Sequence, residues 1–356
     1  MADIIKNDGS ITKTDKKGKI VTNISTRGKS NKDIPTAAPA RKGKSVSTSG
    51  NVLSNQAEIQ ERITAAIIKQ LEEGKVPWRK GWNTAGLMPS NLVSGKPYSG
   101  INSLLLGMMV DEESYASPYW LTYKQAQDLG GSVKKGEKGT LITYYRKLIK
   151  EEKETNEPKG ETTLRELPSS FSLLKSFVVF NADQCKDIPI PETVTREPVD
   201  VLAELEKITT GWNCPPIHYK SSPKAAYIPT LDEINMPPLN AFASANEHAY
   251  TLTHELIHST GHESRLNRWV GENLRFGCSD YAKEELVAEI GACMALSMVG
   301  IDVDIQNSGA YVNNWLQALK DDRTLVFTAA SKASKAANLI VGNNQVEADE
   351  LLSTEA

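Results

Sequence analysis

The segment "THELIHSTGH" (253–262) constrains the fold of this 356-residue chain more than any other feature. His254 and His258 are four positions apart, and Glu255 directly follows the first histidine. On an α-helix, residues four apart share one face, so both imidazoles can bind one ion. In this H-E-x-x-H pattern a bound Zn²⁺ acidifies water and the glutamate accepts the proton. The segment predicts a helical metal site with Glu255 as the base; the alternative is a helix with histidines along one side and no ion.

A catalytic zinc site needs a third protein ligand besides the two histidines. His262 is a weak candidate for this ligand, because it lies beyond the helix-breaking Gly261. The later segment "KEELVAEIGACMAL" (283–296) is predicted to be helical and offers Glu285 and Glu289, one turn apart on one face. Its small residues after Glu289 would allow a close approach to another helix.

This spacing resembles the gluzincin pattern, in which a glutamate ligand is followed four residues later by a carboxylate that orients a ligating histidine. The resemblance implies that Glu285 binds the metal and that Glu289 orients a histidine. The reverse assignment of these two glutamates stays open. Glu284 is expected to belong to a solvated glutamate face.

The hydrophobic periodicity predicts several further elements. Isoleucine and leucine recur every four residues from Asn55 to Gly74, which is typical of an amphipathic helix. Residues 140–148 and 171–185 are expected to be strands, and residues 201–211, 281–298 and 310–320 are expected to be helices. Ser244 and Glu247 have the spacing of a capping box for the H-E-x-x-H helix.

The charge of the chain is distributed unevenly, although its net value is only −3. Residues 1–50 contain eleven Lys and Arg against four Asp and Glu, and lack aromatic residues. Residues 1–52 are therefore predicted to be a disordered basic tail. Residues 75–150 also carry an excess of cations, eleven against five, whereas the remainder is acidic. The front half suits a polyanionic partner.

Aromatic residues alternate with cations in this front half. Residues 75–150 contain nine of the 23 aromatic residues of the chain. Rings that stack on unpaired bases and cations that follow phosphates are the combination that binds single-stranded nucleic acid. The alternative is that the rings form a small core, and it applies most directly to Trp78 and Tyr98. The candidate DNA contacts are Trp78, Arg79, Lys80, Trp82, Tyr98, Lys134, Lys135 and Lys138.

Longer blocks of sequence resemble the ArdC antirestriction family over roughly residues 55–325. In the front half these are "LEEGKVPWRKGW", "SGKPYSGINSLLL", "YWLTYKQAQDLGGSVKKGEKGT" and "SFVVFNADQC". In the rear half they are "DEINMPP", "THELIHSTGHESRLNR" and "YAKEELVAEIGA". Similar modules also occur in primases of conjugative plasmids. The resemblance implies single-stranded DNA binding, a zincin-like peptidase domain, and protection of incoming plasmid or phage DNA from host restriction.

The expected fold is α+β with two domains. A small mixed α/β domain that binds single-stranded DNA precedes a zincin-like, gluzincin-type metallopeptidase domain. The strand around "DEINMPP" is expected to flank its cleft, as an edge strand does when it pairs with an extended peptide. The cofactor is expected to be Zn²⁺, or another divalent metal, held by His254, His258 and Glu285. A host restriction or defence protein is a possible target of the peptidase. The predicted boundaries are 53–187 for the first domain with a charged insertion at 149–170, 188–200 for a linker, 201–340 for the second domain, and 341–356 for a flexible tail.

The alternative to this peptidase is a DNA-binding or primase-accessory protein whose metal is only structural. No run of eighteen apolar residues or secretory signal is visible, so the chain is expected to be cytoplasmic, without a membrane partner.

Overall fold

The computed structural model of this chain consists of two separate compact units, residues 1–47 and 48–356. The residues that it describes are 4–5, 11–12, 48–80, 88–149, 170–191, 199–269, 279–303 and 309–343. In the first unit, β1 (Ile4–Ile5) pairs with β2 (Ile11–Thr12) in antiparallel orientation. The rest of the predicted basic tail up to Ser47, most of the predicted insertion and linker, and most of the predicted C-terminal tail lie outside the described residues.

The front part of the second unit combines helices with a mixed sheet. Its elements are α1 (Thr48–Glu72), α2 (Pro77–Lys80), β3 (Ser90–Asn91), α3 (Gly100–Glu113), β4 (Tyr119–Thr122), α4 (Tyr123–Asp128), β5 (Ser132–Val133), β6 (Thr140–Ile149), β7 (Ser170–Asn181) and β8 (Cys185–Lys186). The main sheet has the order β3-β4-β7-β6, in which β3 and β4 are parallel and the other pairs are antiparallel. Strands β5 and β8 form a separate antiparallel pair.

The hydrophobic pattern predicted the first helix and the two long strands correctly. Ile59, Ile63 and Ile67 of α1 are buried, and Gly74 adopts a left-handed φ of 76° just after the helix ends. The helix begins earlier than predicted, at Thr48. Strand β7 ends at Asn181, before the predicted residue 185, because the Asn181 side chain accepts a hydrogen bond from the Asp183 amide and starts a short 3₁₀ turn.

The rear part packs helices against a three-stranded sheet. Its elements are α5 (Val201–Thr210), β9 (Ile217–Tyr219), β10 (Ala226–Ile228), β11 (Glu233–Met236), α6 (Ala245–Ser259), α7 (Ser279–Met298), α8 (Gly309–Asp321) and α9 (Leu325–Val341). The sheet order is β10-β11-β9. The strand within "DEINMPP" is β11, which lies in the centre of this sheet, so the expectation that it forms the edge is wrong. Strand β10 is the edge strand that lies against α6, as its contact with Glu255 below shows.

The front and rear parts share one hydrophobic core. The ring of Trp78 in α2 packs edge-on against Trp315 of α8, with 5.4 Å between the ring centroids. Helix α3 packs on α9, and both side chains of the tryptophan pair are 1% exposed. Among the described residues, no helix is long and apolar enough to cross a membrane. The α+β class with two domains is confirmed, and the domains meet through this common core.

Candidate metal centre

Helix α6 begins and ends at polar side chains that satisfy its terminal backbone groups. The Ser244 hydroxyl accepts a hydrogen bond from the Glu247 amide at 3.1 Å, and the Glu247 carboxylate accepts one from the Ala243 amide at 2.7 Å. The predicted cap is therefore present, with its return bond shifted by one residue. At the other end, Arg268 donates to the carbonyl of Ile257 at 2.6 Å. These contacts fix the position of the turn that carries the histidines.

Three side chains from α6 and α7 converge on one point. The Nε2 atoms of His254 and His258 are 3.1 Å apart. The carboxylate of Glu285 lies 3.5 Å from the first of these nitrogens and 3.4 Å from the second. The helices come this close because α7 has a glycine at the contact: a Cβ on Gly291 would be 2.9 Å from Ile257 Cγ2. The small residues that suggested a close approach are thus at the helix contact.

The spacing of these donor atoms is close to that of ligands around one ion. Two ligand atoms about 2.1 Å from the same ion lie about 3.4 Å apart at tetrahedral angles. The two histidine nitrogens are 3.1 Å apart, and Glu285 approaches them with its two different oxygens, Oε2 at 3.5 Å from His254 and Oε1 at 3.4 Å from His258. Two imidazoles and one carboxylate also form a donor set that suits Zn²⁺ and related divalent metals. The residues present therefore fit a divalent cation.

The electrostatics of the cluster favour a positive charge at its centre. Burial opposes protonation of His258, but hydrogen bonds to Glu284 and Glu285 outweigh it and raise the pKa of His258 to about 10. Burial disfavours the charged form of Glu285 as well, yet the two histidines hold the pKa of its carboxyl far below the ordinary value. The site thus stabilises cationic imidazole here, and a divalent ion would take the place of those protons.

Glu284 belongs to this site, although its sequence context suggested a solvated face. Its side chain is 4% exposed. One carboxylate oxygen lies 3.3 Å from His258 Nδ1 and accepts a hydrogen bond from Arg268 at 2.6 Å. A carboxylate behind the far nitrogen of a ligating histidine fixes the orientation of the ring and raises its basicity. Glu284 therefore orients His258, and the expectation for this residue is wrong.

Glu289 has other partners than the predicted one. Its carboxylate accepts a hydrogen bond from the Tyr250 hydroxyl and pairs with Arg79 at 3.5 Å. The Nδ1 atom of His254 is buried, and no hydrogen-bond partner for it is found in the described part of the chain. Glu289 lies one turn beyond Glu285, as predicted, and it does not bind the histidine in this arrangement.

Glu255 contacts the edge strand of the rear sheet. Its carboxylate accepts a hydrogen bond from the Tyr227 amide of β10 at 2.7 Å. The half-buried Glu255 thus lies between the metal-binding face of α6 and the free edge of β10. A carboxylate in this position can accept a proton from water beside the cluster. His262 does not belong to the cluster, since its Nδ1 lies 2.9 Å from the Ser264 hydroxyl and 3.8 Å from Asp232.

A buried arginine joins the strands of the rear sheet to the segment after α6. Arg265 is 2% exposed and donates to both oxygens of Asp232, one of them at 3.1 Å, and to the Tyr227 hydroxyl at 3.3 Å. Asp232 adopts a left-handed φ of 51° in the turn between β10 and β11. The arginine therefore holds that turn, and with it the position of β10 beside Glu255.

Comparisons with known proteins assign both parts of the chain to families. Residues 57–180 match the N-terminal domain of anti-restriction factor ArdC, and residues 205–332 match a zincin-like metallopeptidase family. The metal-free crystal structure of the antirestriction ArdC protein from plasmid R388 is 39% identical, with a TM-score of 0.65, over 81% of this chain and 99% of that one. This chain belongs to the ArdC antirestriction family.

Two further similar proteins are a metal-bound structure of the same ArdC protein and a longer DNA primase. The Mn(II)-bound structure of the R388 ArdC protein is also 39% identical, with a TM-score of 0.63, over 80% of this chain and 97% of that one. The DNA primase TraC of Escherichia coli is 33% identical over 311 residues, which are 83% of this chain. This chain spans only 28% of the length of that primase.

The candidate DNA contacts in the ArdC N-terminal domain fall into three groups. Trp78 is core, and Arg79 is 10% exposed and bound to Glu289, so neither is available to a nucleic acid in this structure. Tyr98 is partly buried against a second small core, and its hydroxyl accepts a hydrogen bond from Asn91 at 3.3 Å. The Lys80 side chain and Trp82 lie outside the described residues. The exposed candidates are Lys134, Lys135 and Lys138.

The loop that carries these three lysines leads into β6 beside two aromatic rings that the sequence did not single out, the exposed Tyr123 and the partly buried Phe180. Tyr123 is 52% exposed and contacts Phe180 edge-on, with 6.4 Å between the ring centroids. A Cβ on Gly139, next to Lys138, would lie 3.0 Å from the ring of Phe180. We name Tyr123, Phe180 and the three lysines the lysine–aromatic face. The available sequence signal was the alternation of side chains along β7, which places Phe180 and Val178 on one side of the sheet.

Proposed function

We propose that this chain is an antirestriction protein of a mobile element, plasmid or phage, that binds single-stranded DNA and carries a metal-dependent peptidase site. The observation that carries the proposal is the cluster of His254, His258 and Glu285 beside Glu255 in a chain of the ArdC family. The DNA-binding half would engage incoming strands, and the rear half would act on a host restriction or defence protein.

In the proposed site His254, His258 and Glu285 would hold Zn²⁺ or another divalent cation such as Mn²⁺. The ion would supply Lewis-acid chemistry to a peptide carbonyl. Glu255 would take the proton of the attacking water and pass it to the leaving amine. Among the described residues β10 is an edge strand of its sheet, on which an extended peptide can pair beside the Tyr227 amide that donates to Glu255. Glu284 and Arg268 would keep His258 in position throughout.

Single-stranded DNA would bind on the lysine–aromatic face. Tyr123 has an exposed ring that can stack on a base, and Lys135 and Lys138 can follow the phosphates. Lys134 contributes less freely, since its ammonium donates to the carbonyl of Asp183 at 2.7 Å. The side chains of this face come from the loop before β6, from α4 and from β7, whereas the metal donors come from α6 and α7.

A second candidate function is a non-catalytic accessory of DNA transfer or replication with a structural metal. It is favoured by the similarity to TraC, in which the matching region is a minor part of a longer DNA primase. Under this alternative the metal only stabilises the rear part, and Glu255 has no chemical role.

Plasmid transfer into a restricting recipient separates the two functions. Wild type is expected to raise the transfer frequency over a recipient without the protein, and Glu255→Gln is expected to abolish that gain while it keeps fold and metal. Glu206→Gln, at an exposed position of α5, serves as the matched control and should protect like wild type. Equal protection by wild type and Glu255→Gln would favour the accessory function, and no protection by wild type would contradict the antirestriction proposal.

Salt dependence tests the proposed DNA face. Lys135→Gln combined with Lys138→Gln is expected to weaken binding of an oligothymidylate and to lower the slope of log K against log salt by about 1.4, about 0.7 for each lost phosphate contact on a single strand. Tyr123→Ala should weaken binding by about 1–3 kcal/mol without a change of slope. Tyr219→Ala, which removes an equally exposed ring (54%) from β9, is the control. Equal losses from Tyr123→Ala and Tyr219→Ala would contradict the assignment.

A further inference from the structure

One cation of the N-terminal domain reaches the surroundings of the metal cluster. Arg79 belongs to α2, and its guanidinium lies 3.5 Å from the Glu289 carboxylate of α7. It also lies over the ring of Tyr250, 5.8 Å from the ring centroid. The side chains of Arg79 and Glu289 are only 10% and 6% exposed, so solvent does little to weaken their attraction.

Glu289 lies near His254, one turn of α7 beyond Glu285. Tyr250, whose hydroxyl donates to the Glu289 carboxylate, has its ring centroid 6.3 Å from that of His254. The Tyr250 hydroxyl and the Arg79 guanidinium both contact the same oxygen of Glu289, Oε2.

The Nδ1 atom of His254 has no hydrogen-bond acceptor among the described residues. Its Nε2 atom points to His258 and Glu285, so Nδ1 is the nitrogen left over once an ion is bound. That Nδ1 atom is buried, and none of the described residues accepts its proton. A metal-ligating histidine almost always donates its other N–H to an acceptor, and loss of such an acceptor typically costs 10–100-fold in metal affinity.

We propose that Arg79 is a positioning residue through which the N-terminal domain lowers the affinity of the metal centre for its cation. Its guanidinium, together with Tyr250, holds the Glu289 carboxylate away from His254 and cancels part of its charge. When the Arg79 guanidinium no longer pairs with Glu289, the Glu289 carboxylate accepts a hydrogen bond from the Nδ1–H of His254, and the cluster binds its cation more tightly. Arg79 therefore acts on the metal through Glu289. This inference rests on the metal centre proposed above.

The test is the affinity of the full chain for Zn²⁺, measured by competition with a chromogenic chelator. Arg79→Gln is expected to bind Zn²⁺ about 10-fold more tightly than wild type. Arg62→Gln removes the same charge from an exposed position of α1 and should keep the wild-type affinity. In a Glu289→Gln background, Arg79→Gln should have no further effect, because the coupling passes through that carboxylate.

Tyr250→Phe provides an independent variant, since it removes the other bond to Glu289 without a change of charge, and it is also expected to tighten Zn²⁺ binding. An affinity that is unchanged or lower in both variants would overturn the inference. A gain that persists in the Glu289→Gln background would overturn it as well. If wild type itself fails to bind Zn²⁺, both the proposed metal centre and the Arg79 inference are overturned. If wild type binds Zn²⁺ but the variants do not bind it more tightly, only the Arg79 inference is overturned.

Discussion

Replacement of Glu284 by glutamine should destabilise the protein and loosen its metal centre together. The carboxylate accepts hydrogen bonds from Arg268 at 3.1 and 2.6 Å and lies 3.3 Å from His258 Nδ1. Arg268 is 5% exposed, so its charge would be left buried without a counterion. The amide of the new glutamine offers one acceptor oxygen where the carboxylate offered two.

The magnitude follows from these contacts. Removal of one partner of a buried ion pair costs about 3–5 kcal/mol. Arg268 keeps its bonds to Thr260 and to the Ile257 carbonyl, which lowers the expected cost to about 3 kcal/mol. The orientation of His258 is lost as well, and this should weaken binding of Zn²⁺ by 10–100-fold.

Urea denaturation after chelation gives the free energy of unfolding of the metal-free protein, and chelator competition gives the metal affinity. Glu206→Gln is the matched control for both, because it makes the same change on an exposed face of α5. A loss below about 1 kcal/mol, which is the range of an exposed pair, would refute the buried ion pair. An unchanged metal affinity would refute the orienting role of Glu284.

Two further predictions concern the segment around α6. Burial alone would raise the pKa of Asp232, but Arg265 and Tyr227 lower it below the ordinary value. The ionised Asp232 carboxylate should therefore stabilise the folded protein above about pH 4, and this contribution should be lost as pH falls through the lower pKa of the folded state. Urea midpoints of wild type and Asp232→Asn should therefore differ at pH 7 and converge at about pH 2; asparagine tolerates the left-handed turn, and a constant difference would contradict the argument. Gly261→Ala should cost about 1–3 kcal/mol in urea denaturation, because its Cβ would lie 2.6 Å from Trp269 Cζ2, whereas Gly211→Ala meets only a contact at 3.6 Å and is the control.

The two histidines of the candidate metal centre could be predicted because their spacing is local. Residues four apart on a helix share a face whatever surrounds the helix, so His254 and His258 follow from the sequence alone. Glu285 required a second helix to pack close to the first, and Gly291 indicated that this could happen. The structure brings all three donors within 4.8 Å of one another.

The roles of the neighbouring glutamates could not be predicted in the same way. Glu285 and Glu289 share one face of α7, whereas Glu284 lies about 100° around the helix from Glu285. A rotation of the helix by a fraction of a turn decides which of them meets His258. That rotation is fixed by packing against α6 and by Arg268, which lies 16 positions before Glu284 in the chain. No local pattern encodes such a pairing. Helix α9 was not predicted from the sequence; half of its ten buried residues are alanines.

The triplet Trp78-Arg79-Lys80 shows why DNA contacts could not be predicted from composition alone. The same pattern of one aromatic residue followed by two cations occurs on nucleic-acid-binding surfaces and at the border of a hydrophobic core, so the sequence does not distinguish the two. Here the one-turn helix α2 lies between α3 and α7, so Trp78 turns to Trp315 and Arg79 turns to Glu289. A cation buried against a carboxylate one helical turn from a metal ligand cannot serve DNA without breaking that pair. The charge that suggested a polyanionic partner is therefore, at this position, paired with a carboxylate of α7.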